Sequence, residues 1–293
     1  MTLAVFGKED LDELESEVLK HFSKIVNKNV EKPSWPEHPY GPNEVGKILE
    51  IVPVRETREM AIIFPIPDQM KFYKTSPGHY LGHLIGHQGK GSLWSELKAK
   101  GWATFLSGGE SHGARGFSFF EVSIELSPDG FKNRMEVVKL LFQYLALLTK
   151  QGVHEWIFNE YRDLSAIHFR FKEKQWPVSV VTNITSNLQH YPMEECLSGR
   201  YLTPNYEPDL ICNLLCQLRW DNIILTIIAN EVKDERTPMI EHYYGTEYFV
   251  SNIPKSFLEE LHNFVTLNNK LSLPSPNEFI PTNFELAERQ VPV

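Results

Sequence analysis

The sequence predicts an α+β fold: a mainly antiparallel sheet with helices layered on one face. Three observations carry this. Residues 117–126 alternate strictly, with Phe120, Val122, Ile124 and Leu126 on one side and Glu121, Ser123 and Glu125 on the other, as a strand with one covered face requires. A long helical pattern follows, ending near Gly152, with a polar stripe of Lys132, Glu136, Lys139, Gln143 and Lys150 and a wide apolar remainder. Finally, paired strands alternate along the chain with groups of helices, which favours hairpins over parallel β-α-β units.

Taken in order, residues 3–6 read as a short strand closed by Gly7, and residues 9–26 as an amphipathic helix through Leu11, Leu14, Val18, Leu19, Phe22 and Ile25. One strand and one helix cannot enclose a core, so residues 1–30 read as the end of a preceding unit. Pro33, Pro36, Pro39 and Pro42 make residues 31–46 a stiff linker. Residues 47–54 and 59–65 are predicted strands. Ser76-Pro77 then opens a helix, with the serine as side-chain cap and proline at its first turn. Gly89 and Gly91 end it, Ser92 caps a second helix to Lys100, and Gly101 stops that one.

Residues 102–106 are a predicted strand, with Gly108-Gly109 in the connection after it. Phe117 and Phe119 break the alternation of the next strand, so that end carries a bulge or is covered on both faces. Helices are expected at 153–172, with Ile157, Tyr161, Leu164 and Phe171 inward, and at 178–189 and 208–218. The apolar run in residues 222–229 is a central strand. Residues 243–250 add another strand and 254–264 a helix. The main unit therefore spans 47–269. Pro274, Pro276, Pro281 and Pro292 make 270–293 an extended arm, either lying on the surface or disordered.

Composition narrows the function. The 293 residues are 42% hydrophobic and 23% charged, ordinary for a globular protein. A net charge of −9 argues against nucleic acid as a partner, since tracking phosphates needs clustered Lys and Arg. No apolar run reaches membrane-spanning length, so no membrane partner is expected. Cys196, Cys212 and Cys216 form no C-x-x-C, which argues against a disulfide framework and for a cytoplasmic protein, and Cys212 and Cys216, four apart in a helical pattern, read as buried free thiols.

Chemistry concentrates in residues 76–115. His79, His83 and His87 recur every four residues, the spacing of metal ligands on a helix. Neither H-x-x-E-H nor H-E-x-x-H occurs, and a ladder of imidazoles without a carboxylate lacks the base that a zinc peptidase needs. G-x-S-x-G and a P-loop are also absent. Peptide binding remains. Gly108-Gly109 leaves backbone open to an added strand, and Gln88 or Glu110 can accept hydrogen bonds from a peptide's N-terminal amine. An ordinary hairpin edge, glycine-rich for turn geometry alone, is the competing reading.

PGHYLGHLIGHQGKGSLWSELKAKGW at 77–102, GARGF at 113–117, YGTEY at 244–248 and NEFIPTNFEL at 277–286 closely resemble the insulin-degrading-enzyme (insulysin) branch of the pitrilysin-type zinc peptidases. The resemblance implies a second, non-catalytic α+β domain preceded by the last strand and helix of the first. It implies zinc in the family's catalytic domain and no cofactor in this chain, which is expected to be inactive alone. It also implies an exosite that anchors substrate N-termini by β-augmentation, falling on His79, His83, Gly86, Gln88, Leu106, Gly108 and Glu110. The family pattern has Glu in the place of Gln88 and Gln in the place of Glu110. Implied partners are extended peptides and either the rest of a parent peptidase or a relative carrying the H-x-x-E-H domain. The alternatives are an active or half-enzyme metallopeptidase and a truncated paralogue acting in assembly or regulation.

Overall fold

The computed structural model describes residues 2–263 and 268–285. Among them the strands are β1 (Lys47–Ile51), β2 (Arg58–Pro67), β3 (Ala103–Ala114), β4 (Phe117–Leu126), β5 (Ile224–Ala229), β6 (Met239–Ile240) and β7 (Glu247–Asn252). The helices are α1 (Leu11–Phe22), α2 (Pro77–Ile85), α3 (Leu93–Ala99), α4 (Pro128–Lys132), α5 (Arg134–Gln151), α6 (Glu155–Arg170), α7 (Pro177–Asn187), α8 (Pro208–Leu215) and α9 (Lys255–His262). The strands form one sheet in the order β3-β4-β2-β5-β1-β7-β6. Every pairing is antiparallel except β1 with β5. The predicted α+β class and mainly antiparallel sheet are therefore observed.

Pleating sorts the side chains. Met60, Ile62, Phe64 and Ile66 of β2 share a buried face with Phe120, Val122 and Ile124 of β4 and with Leu225 and Ile227 of β5. Helices α2, α3, α5 and α8 supply the other half of that core through Leu81, Leu84, Leu97, Leu141, Leu145 and Leu214. The opposite face carries Glu59, Glu121 and Glu125, which is why the β4 alternation was so legible. β5 holds the centre, between β2 and β1, as its unbroken apolar run requires.

Several local expectations change. Residues 3–6 are not a strand, because no strand lies beside them; Thr2 instead donates to the Thr185 carbonyl (3.2 Å) and accepts from Gln189 (2.7 Å) on and just past α7. Ser76 does not cap α2: it sits at φ 47°, and its hydroxyl donates to the Tyr73 carbonyl (2.8 Å), while Pro77 does open the helix. Ser92 caps α3 as predicted, accepting from the Ser95 N–H at 3.1 Å. Cys212 and Cys216 are exposed, because the inward stripe of α8 is Ile211, Leu214 and Leu215. Phe171 is also exposed, and stacks on Phe284 of the C-terminal arm.

The proline-rich residues 31–46 dock on the β3–β4 hairpin. Trp35 N–H donates to the Arg115 carbonyl (2.7 Å), and the rings of His38 and Tyr40 pack on Phe117 and Phe119. That end of β4 is covered on both faces, which accounts for its broken alternation. The arm lies on the surface: Ser272 N–H bonds to the Gly91 carbonyl (2.9 Å), and Asn277 N–H to Glu160 of α6 (2.8 Å). The predicted helix end at 264 and the arm beyond 285 lie outside the described residues.

Candidate functional site: a groove beside the edge strand

β3 ends the sheet: it pairs with β4 on one side, and no described strand lies on the other. Gly108 and Gly109 sit inside this strand, opposite Val122 and Glu121, and not in a connection after it. The physical reason is that neither adopts positive φ, so both continue the ladder to Ala114. The strand bends at register shifts flanking residues 103–105 and 111–114.

α2 lies across the same edge. Its glycines recur at 78, 82 and 86, and the first two meet β3 closely. A Cβ on Gly82 would stand 2.5 Å from the Gly108 carbonyl oxygen, and one on Gly78 would stand 3.0 Å from the Glu110 side chain. From the other side, a Cβ on Gly108 would come within 2.8 Å of Ile85. The helix therefore runs antiparallel to the strand, its first turn at Glu110 and its last at Gly108. Two buried tyrosines hold it there. Tyr144 of α5 donates to the Leu84 carbonyl (3.1 Å), and Tyr80 accepts from the His154 N–H (3.0 Å).

A groove of about 350 Å³ opens along this contact, floored by Gly78, Gly82, Gly108 and Gly109. Of the predicted residues, His79, His83 and Gly108 line it. Gly86 closes α2 with its N–H on the Gly82 carbonyl (2.8 Å), and Leu106 is buried beneath the strand. Glu110 faces Gly78 at one end. Gln88 is exposed, lies past the C-terminal end of α2 and does not line the groove.

The far wall comes from α6 and the segment between α7 and α8: Tyr161, Ser165, His168, Arg200 and Tyr201. Sequence reading missed all but the inward position of Tyr161, because these residues lie 80 or more positions from α2 and share no spacing with it. His79 Nδ1 is 2.7 Å from the Tyr161 hydroxyl. The His79 pKa is lowered, first by the surrounding protein mass and then by the Arg200 charge. His83 and His87 are also lowered, again chiefly by burial, with Glu160 opposing. Glu110 is pushed the other way, up to about 7. Solvent reaches part of it, but the crowding of protein around the carboxylate dominates, and the Asp68 charge adds to this; the Ser118 hydroxyl, donating at 3.3 Å, partly offsets both.

The imidazole ladder does not assemble a metal centre. His83 and His87 stand 6.1 Å apart at their ring centroids, and among the described residues no three His, Cys, Asp or Glu side chains converge.

Comparison with known proteins now places the fold. Residues 1–164 match the model described as the peptidase M16 inactive domain, and residues 169–293 match that of the middle or third domain of peptidase M16. The chain belongs to the M16 peptidase family. Insulin-degrading enzyme of Homo sapiens is 44% identical over 98% of this chain, and that of Drosophila melanogaster is 42% identical over the same share. The crystal structure of pitrilysin superposes with a TM-score of 0.86 over 96% of the chain at 22% identity, a likeness of fold. This M16 chain spans 28% of the human relative's length. The two matched segments interleave in its sheet: β5, from the second, sits between β2 and β1, from the first.

Proposed function

We propose that this chain is a non-catalytic, peptide-binding part of an insulysin-like zinc metallopeptidase, holding extended peptides by adding them as a strand to β3. The observation that carries this reading is the open edge of β3 at Gly108-Gly109, walled by α2 on one side and α6 on the other. An edge strand presents backbone donors and acceptors that a second strand can pair, and glycine removes the side chains that would obstruct it. The ammonium of the peptide lies at the Glu110 end, where a carboxylate stands beside the first turn of α2. Free Cys196, Cys212 and Cys216 suit a reducing compartment such as the cytoplasm.

A peptide with a free N-terminus is expected to bind measurably tighter than its acetylated form, by about tenfold for one lost charge-assisted hydrogen bond. Fluorescence anisotropy with the two peptides checks it. Equal binding removes the amine from the reading, and no binding of either removes β-augmentation altogether.

A second reading, association with the remainder of a peptidase, is favoured by α1. None of its residues is buried, and Leu11, Leu19 and Phe22 stay exposed on an amphipathic helix. Replacing Leu11 and Leu19 with serine should leave the melting temperature of this chain unchanged while abolishing co-sedimentation with a segment carrying the H-x-x-E-H domain. Co-sedimentation that survives both changes would show that α1 is not the contact.

A further inference from the structure

The groove is chemically unlike the rest of the molecule. The chain carries a net charge of −9, yet none of the residues lining the groove is a carboxylate. Its far wall instead offers the Arg200 guanidinium, the His168 imidazole, and the hydroxyls of Tyr161, Ser165 and Tyr201, and His79 adds an imidazole from α2. Among the described residues Arg200 makes no ion pair, as is true also of Arg55, Arg115, Arg134 and Arg170, but of these arginines it alone lines the groove. Its place is fixed by its neighbours. Gly199 is buried, with no room for a Cβ against the Tyr191 ring, and the Tyr201 ring packs on Phe169 and under Lys172.

An unpaired guanidinium held at a groove wall is a ready partner for a carboxylate, which it can meet with two parallel N–H···O bonds. A bound strand sends alternate side chains towards opposite walls, so a particular position of an added peptide faces Arg200. We propose that Arg200 is a specificity-determining residue, selecting peptides that place an aspartate or glutamate side chain opposite it. This rests on the strand-addition reading, and it adds a charge preference that strand pairing by itself does not supply, since backbone pairing is indifferent to side-chain charge.

A set of otherwise identical free-amine peptides, with glutamate, glutamine or lysine placed in turn at each of the first five positions, tests it by anisotropy. At one position glutamate should bind about tenfold tighter than lysine, the size expected of one charge-assisted contact in a half-enclosed site. Arg200→Ala should abolish the preference at that position, and Arg200→Glu should reverse it. Because Arg200 is exposed, both variants should melt with the parent protein, which confirms that they fold. A glutamate preference that persists in Arg200→Ala, or equal binding of all peptides, overturns the assignment while leaving strand addition intact. Failure of every peptide to bind overturns both.

Discussion

Gly82→Ala is expected to destabilise the protein by about 1–2 kcal/mol and to abolish peptide binding. Alanine is the better helix former by up to about 1 kcal/mol, so an isolated helix would gain from the change. Here the new methyl would stand 2.5 Å from the Gly108 carbonyl oxygen and 3.2 Å from the Gly109 Cα, both backbone atoms with no rotamer to yield. α2 would have to move away from β3, but Tyr80, Leu81, Leu84 and Ile85 anchor it in the core. Overpacking of this kind costs about 1–3 kcal/mol, which outweighs the propensity gain. For a domain of this size the net loss should lower the melting temperature by about 2–6 °C in a thermal scan. Gly109→Ala is the control: nothing lies within 4 Å of its Cβ position, so stability should hold within about 0.5 kcal/mol. A Gly82→Ala protein as stable as the parent would mean that α2 is not seated on the strand.

Binding of a free-amine peptide should weaken roughly tenfold as pH falls from 8 to 6, the range over which a carboxyl titrating near 7 goes from mostly ionised to mostly neutral. The ionised form attracts the ammonium, and the protonated form does not. Above about pH 8 the peptide amine itself loses its proton, so the optimum falls between about 7 and 8. The pKa values of His79, His83 and His87 are lowered by burial, which moves their titration away from the upper part of this range. The same group sets a stability trend. A carboxyl whose folded pKa exceeds its unfolded value binds more protons when folded, so stability falls as pH rises from about 4.5 to 7. Glu110→Gln should flatten both curves. If the variant keeps the pH-dependent binding, the amine is held elsewhere, and loss of affinity in Gln88→Ala would place it at Gln88.

Where periodicity carries information, the sequence was a reliable guide. The alternation in β4, the polar stripe of α5, the apolar run of β5, and the stops at Gly101 and Gly152 each describe a local rule that the neighbours of a residue in the chain can satisfy. Reading failed where partners are distant. Residues 3–6 have strand composition and no strand to pair with, Ser76 has a capping side chain that bonds backwards to Tyr73, and Gly108-Gly109 look like a turn yet continue a ladder to Ala114.

The site divides the same way. The sequence showed a histidine ladder with neither H-x-x-E-H nor H-E-x-x-H, and it marked out the glycines of the 76–115 stretch. That the glycines at 78 and 82 let a helix touch β3, that Glu110 stands beside the first turn of that helix, and that Arg200 lines the same groove from a segment about ninety residues beyond Glu110 was decided only by tertiary structure. The reason is physical. Spacing along a chain fixes which residues share a face of one helix or strand, whereas a groove is made by two elements whose approach depends on what each lacks. Here that is the Cβ atoms that glycine leaves out.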